Sequence, residues 1–123
     1  MKRLLLLFVA CLSLLACRHA ENDTILQSNA GTPQAALETL EYIQIHHQAP
    51  KGYVGGRKFG NYEQLLPKKT PSGEGIQYQE WDIYPKIKGK NRGAERLVTG
   101  SDKSAYYTPD HYAHFIPIKT LLH

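Results

Sequence analysis

Four side chains in the second half of this chain have the chemistry to move protons beside a phosphate: Glu80, Arg92, Arg96 and His111. A carboxylate can take a proton and an imidazolium can give one. Two guanidinium groups can hold the negative charge that develops between them. Glu80 stands in mid-strand, where a carboxylate is unexpected unless its face lines a cleft, and Asp82 shares that face. Each group also has a plain structural reading. Glu80 can be a surface residue paired with a lysine, His111 a turn histidine, and Arg96 a partner of Glu80 or Asp82. Composition and spacing leave both readings open.

The elements that must position these groups are legible in outline. Thr32 can cap a helix whose first position suits Pro33, since the missing N–H of proline would be unpaired there anyway. Ala36, Leu37, Leu40 and Ile43 then form one apolar stripe, which fades at His46-His47 before Pro50. Beyond Gly52, glycines punctuate short stretches rich in Tyr, Ile and Val. The clearest strand is Ile76–Tyr84, with Ile76, Tyr78, Glu80, Asp82 and Tyr84 on one face and Gln77, Gln79, Trp81 and Ile83 on the other. Arg96–Thr99, Ala105–Tyr107 and His111–Ile116 read as three more strands, separated by turn signals at Thr99-Gly100-Ser101-Asp102 and Pro109-Asp110. A helix followed by an antiparallel meander is an α+β domain.

The chain has 123 residues, 41% apolar and 21% charged, which fits one globular domain. Residues 1–16 read as an export signal: a basic start, then an apolar run from Leu4 to Leu15, which at 12 residues is too short to span a bilayer. Leu14-Leu15-Ala16-Cys17 resembles a lipobox, making Cys17 the expected lipid attachment point of an exported, membrane-anchored lipoprotein. Ordinary cleavage to a secreted protein is the alternative. Residues 17–31 read as a polar tether and 32–123 as the folded domain. With Cys11 removed and Cys17 lipidated, that domain contains neither disulfide nor thiolate. The formal charge of the whole chain, +4, becomes +2 for the mature chain once Lys2 and Arg3 leave. Lys86, Lys88, Lys90, Arg92 and Arg96 cluster within eleven positions, either a solvated loop or an electrostatic footprint for phosphate. There is no phosphate-cradling Gly-rich loop, paired-cysteine zinc site or nucleophile elbow. Multidomain enzymes, polytopic membrane proteins and repeat arrays are excluded.

The order of local motifs is more specific than any of them singly. Ala49-Pro50-Lys51-Gly52-Tyr53 follows the helix, and then comes Phe59-Gly60-Asn61-Tyr62-Glu63-Gln64-Leu65-Leu66-Pro67. Tyr78-Gln79-Glu80-Trp81-Asp82 is next, followed by Arg92, Arg96 and Tyr107-Thr108-Pro109-Asp110-His111-Tyr112 with Phe115. In this order they resemble the microbial guanyl-specific ribonucleases, in the bacterial barnase-like branch, from about Pro33 to Ile118. The resemblance implies a helix packed on a twisted antiparallel sheet. It also implies an endoribonuclease that cleaves single-stranded RNA 3′ of guanosine through a 2′,3′-cyclic phosphate, with neither metal nor cofactor.

By the same resemblance, Glu80 is the general base, His111 the general acid, and Arg92 and Arg96 the phosphate ligands. Glu63 recognises guanine, with backbone amides at Asn61 and Tyr62 serving its carbonyl oxygen and Tyr112 stacking on the base. Tyr62 stands where barnase-like members carry an arginine. The position of a phosphate-binding lysine falls at Gly56 or Arg57, where Arg57 can substitute. Implied partners are single-stranded RNA and an acidic, barstar-like protein inhibitor, with the enzyme a monomer. Two other readings start from the same residues. One is a non-catalytic surface lipoprotein that binds anionic ligands; the other is the same nuclease used as an exported toxin.

Overall fold

Pro33 decides where the helix begins. In this computed structural model, which describes residues 29–119, Pro33 is extended (φ −61°, ψ 149°) and takes the N-cap position itself. Its carbonyl accepts the amides of Ala36 at 3.0 Å and Leu37 at 3.3 Å, and helix α1 runs Gln34–His46. The start therefore differs from the expected one. An extended Pro33 displaces Thr32 from reach of the first free amides, and the Thr32 hydroxyl is buried without a hydrogen-bond partner. At the other end His47 adopts the left-handed conformation (φ 57°), and its amide closes on Ile43 O at 2.7 Å. The expected signal segment, Cys17 and the expected tether as far as residue 28 lie outside the described residues.

Five strands follow: β1 (Gly55–Phe59), β2 (Tyr78–Asp82), β3 (Arg96–Gly100), β4 (Ala105–Thr108) and β5 (Ile116–Pro117). They pair in chain order as one antiparallel meander, so the expected α+β class holds. Two details differ from the sequence reading. The Gly55-Gly56 segment is not merely a breaker: it begins β1, with a register shift between Gly55 and Arg57 that marks a bulge. The stretch His111–Ile116 is not a strand. Only Ile116–Pro117 pairs, and His111 (φ 53°) and Tyr112 (φ 75°) lie in left-handed turn conformations.

The register gives the sheet two different faces. Trp81, Leu97 and Tyr107 are cross-strand neighbours on one face, where they pack with Ala36, Leu40 and Ile43 of α1. Each such buried side chain contributes about 1.5–3 kcal/mol. The opposite face carries Glu80 opposite Val98, and Asp82 opposite Arg96, which in turn faces Thr108. Beneath these polar groups Leu66, Tyr78 and Val98 form a second apolar cluster with Phe59, Tyr112 and Phe115 against it. One face thus holds the fold together and leaves the other free for chemistry. Residues Gly31–Ile118 form one compact unit. Asn29, Ala30 and Lys119 belong to another, in which the Asn29 side chain and the Lys119 backbone exchange two hydrogen bonds.

Candidate active site

The site is organised around a carboxylate, Asp82, that the sequence offered only as a possible structural partner of Arg96. Asp82 is buried at the end of β2, with 7% of its side chain exposed. Arg92, arriving from the connection to β3, grips it with both prongs, Nε to Oδ2 at 2.8 Å and Nη2 to Oδ1 at 2.5 Å. That hydrogen bonding holds the Arg92 guanidinium above its ordinary pKa, keeping it charged. Arg96 lies beside it, with Nε 3.2 Å from Asp82 Oδ1. Its Nη1 donates to the carbonyls of Gly93 at 2.6 Å and Glu95 at 2.7 Å. Two guanidinium groups thereby meet at a single buried anion, Arg92 held by its hydrogen bonds and Arg96 by the two carbonyls. Fixed donors are what a phosphate-charged intermediate requires.

Glu80 lies two residues back on the same face and is half-buried. The Tyr112 hydroxyl donates to its Oε2 at 2.5 Å. Burial, and then the adjoining Glu80 carboxylate, push the Tyr112 phenol above its ordinary pKa, so it remains a donor. One face of the Tyr112 ring packs against Phe59 at 4.7 Å. Tyr112 therefore touches the expected base through its hydroxyl and the start of the Asn61 loop through its ring.

His111 is exposed on the turn after β4, its amide bonded to Ala94 O at 2.8 Å and its ring 4.8 Å from that of Tyr112. The turn is held by side chains that were missed. Thr108 Oγ1 accepts the Tyr112 amide at 3.0 Å and bonds Asp110 Oδ1 at 3.1 Å. Asp110 also accepts the His114 amide at 2.9 Å and pairs with the His114 ring. The contact with that ring is the main cause that holds Asp110 below the usual carboxylate range. A Thr-x-Asp spacing just before two residues that need positive φ was the available signal.

The remaining expected residues lie in two places. Arg57 of β1 is directly opposite Glu80 in register, on the same face, and is exposed. Asn61, Tyr62 and Glu63 form the loop after β1. Asn61 spends its side chain on the loop itself, donating to Leu66 O at 2.8 Å and accepting Leu66 N at 3.1 Å. Tyr62 is 92% exposed, and Glu63 is exposed as well. The structure thus gathers Glu80, Arg57, Arg92, Arg96, His111 and Tyr112 around one sheet face. The loop is joined to that group through the Phe59–Tyr112 contact.

A meander with one packed helix, and with a carboxylate, a histidine and clustered arginines on its free face, defines a small α+β protein with a site of mixed charge. Residues 16–119 match the family model for ribonuclease, and the chain belongs to that family. It is 41% identical over 71 residues to a ribonuclease of Heyndrickxia coagulans, covering 58% of this chain and 60% of that one. Identity over the same length is again 41% to a ribonuclease of Bacillus intermedius, of which 40% is covered. The matched stretch thus spans less than two thirds of these relatives. The fold is similar to crystal structures of ribonuclease Sa2. With guanosine-2′-cyclophosphate bound, the TM-score is 0.54 at 32% identity, covering 76% of this chain and 92% of that one. For the exo-2′,3′-cyclophosphorothioate complex it is 0.56 at 34% identity, covering 76% and 93%.

Proposed function

We propose that this chain is an endoribonuclease that cleaves single-stranded RNA 3′ of guanosine by transesterification without a metal. The observation that carries this reading is the single sheet face on which Glu80 lies beside two arginines locked by Asp82. Glu80 takes the proton of the ribose 2′-hydroxyl, whose oxygen bonds to the adjacent phosphorus. The bond from phosphorus to the 5′-oxygen breaks, and protonated His111 gives that oxygen its proton. A 2′,3′-cyclic phosphate and a free 5′-hydroxyl result. In the second step water attacks the cyclic ester, neutral His111 takes its proton, and protonated Glu80 returns one to the 2′-oxygen. Arg92 and Arg96 balance charge on the non-bridging oxygens. The nucleophile is already held beside its target within the substrate, so no metal is required to generate it. DNA lacks that hydroxyl and is not a substrate.

The Tyr112 hydroxyl occupies one Glu80 oxygen and leaves the other for the substrate proton. Guanine preference is assigned to Glu63, whose carboxylate can accept both the ring NH and the exocyclic amine, a pair adenine lacks. Backbone amides of the Asn61–Tyr62 loop serve the carbonyl oxygen. Arg57, facing Glu80, supplies a further cation where the Tyr62 position has none.

The test uses the dinucleotide GpU in excess EDTA. Guanosine 2′,3′-cyclic phosphate and uridine are the expected products, with ApU cut far more slowly. Glu80→Gln and His111→Ala are expected to lower the rate by orders of magnitude. Uncut GpU would pass the function to a non-catalytic anion-binding protein. Export, with lipid attachment at Cys17, belongs to the same proposal, and the mass of the mature N-terminal peptide decides it. An acidic protein inhibitor would meet the same cations that hold phosphate, and its binding would protect them from substrate.

A further inference from the structure

The reaction above gives no part to His114, three residues past the proposed acid. Its side chain is 81% exposed, yet its ring is tethered, with Nδ1 2.5 Å from Asp110 Oδ2. A carboxylate held below its usual pKa range is ionised and only accepts, so the proton in this contact belongs to Nδ1. Asp110 is the hub of the turn after β4. Its Oδ1 accepts the His114 amide at 2.9 Å and the Thr108 hydroxyl at 3.1 Å, while Thr108 Oγ1 accepts the Tyr112 amide at 3.0 Å. With His114 on Oδ2, both carboxylate oxygens are engaged, and the group cannot rotate without losing a partner.

Between the two ends of this clamp pass His111 (φ 53°) and Tyr112 (φ 75°). Neither is glycine, so the left-handed conformation has to be imposed by the surroundings. Tyr112 has further supports, its hydroxyl on Glu80 and its ring against Phe59. His111 has fewer. Among the described residues its imidazole forms no hydrogen bond; its ring lies 4.8 Å from that of Tyr112, and its amide bonds Ala94 O at 2.8 Å. Where the imidazole points therefore depends on the turn. A loosened turn misplaces His111 before it misplaces Glu80, which is paired into β2 on both sides.

We propose that His114 is a positioning residue for the general acid: by orienting Asp110 it fixes the turn that aims His111 at the departing 5′-oxygen. The inference rests on the ribonuclease reading above. Two esters separate aim from fold. The uridine 5′-oxygen of GpU needs a proton from His111 to leave, whereas the nitrophenolate of guanosine 3′-(4-nitrophenyl phosphate) leaves without one. His114→Ala is expected to lower kcat on GpU about threefold to fivefold, the scale of an exposed ion pair, with KM within about twofold. On the nitrophenyl ester its rate is expected to match that of the unaltered chain. His114→Asn, whose side-chain amide offers an N–H in place of Nδ1–H, is expected to recover most of the GpU rate. Equal losses on both esters, no loss on GpU, or a loss that His114→Asn does not repair overturns the inference, while cleavage of GpU by the unaltered chain still upholds the nuclease. If the unaltered chain cuts neither ester, the nuclease reading fails and this inference with it.

Discussion

The Tyr112 hydroxyl lies 2.5 Å from Glu80 Oε2, joining the turn after β4 to the middle of β2 across 32 residues of chain. The contact exists because His111 and Tyr112 both accept positive φ. That conformation costs free energy for residues other than glycine, of order 1 kcal/mol or more each. The side chains of Thr108 and Asp110 hold it by taking backbone amides that would otherwise seek a strand partner.

Removing that hydroxyl tests whether it aims the Glu80 carboxylate. Tyr112→Phe keeps the ring against Phe59 and deletes one charge-assisted hydrogen bond. We expect kcat on GpU to fall about tenfold with a smaller change in KM, the pattern of a lost transition-state alignment. A rate within about twofold of wild type would mean that Glu80 is positioned by the sheet alone.

Asp82 is hydrogen-bonded by Arg92 and ion-paired with Arg96. Asp82→Asn keeps the shape and removes the charge, leaving two guanidinium groups without their buried counter-ion. Urea unfolding should show a loss of about 3 kcal/mol, in line with breaking a buried pair. The rate should fall as well, because Arg92 loses its two-pronged charged partner, while Arg96 keeps the Gly93 and Glu95 carbonyls. A stability loss below about 0.5 kcal/mol would show that the pair behaves as an exposed one.

How much of this was legible in the chain depended on whether a signal was local. The stripe of Ala36, Leu40 and Ile43 and the alternation around Trp81 are local patterns, and both elements formed, the helix one residue later and the strand shorter than expected. His111–Ile116 has the aromatic content of a strand, yet Thr108 and Asp110 compete for its amides, and a propensity pattern does not register that competition. Gly55-Gly56 reads as a breaker, and only pairing with Trp81 shows it to be the start of a strand. Motif order singled out Glu80, the arginines and His111, and the structure brings them to one sheet face. The Arg96–Asp82 pair was open as a structural reading of the chain, but the two-pronged grip of Arg92 on Asp82 comes from a loop that brings Arg92 back, which no local pattern registers.

The close approach of β1 to Trp81 gives a steric prediction. A Cβ on Gly55 would lie 2.8 Å from Trp81 Cε3 and 3.1 Å from Trp81 Cα, and the latter is backbone that cannot swing aside. Gly55→Ala should cost about 1–3 kcal/mol and change the near-UV dichroism of the tryptophan. Gly93→Ala is the control: it meets nothing within 4 Å, and its stability should stay within about 0.5 kcal/mol of wild type. Equal losses at both positions would show that packing against Trp81 is not the cause, since the backbone-entropy effect of Gly→Ala is stabilising.

Alkaline stability tests the second apolar cluster. Burial, then the nearby Tyr106 and Asp102 charges, push the Tyr78 phenol from 10.0 to about 12, and its hydroxyl donates to Pro67 O at 2.6 Å. Below pH 10 the phenol is neutral in folded and unfolded chains alike, so its stabilising contribution is complete. Between pH 10 and 12 the unfolded chain ionises first and binds fewer protons, so stability falls as pH rises. Two units of difference correspond to about 2–3 kcal/mol of lost stability from this residue. Tyr106, Tyr107 and Tyr112 are shifted in the same direction and steepen the fall. Tyr78→Phe should start about 1 kcal/mol lower at pH 8, from the lost hydrogen bond, and decline less steeply from pH 10 to 12. Urea denaturation of both proteins at several pH values across that window decides the matter. Parallel curves would mean that Tyr78 ionises as readily in the folded chain as in the unfolded one.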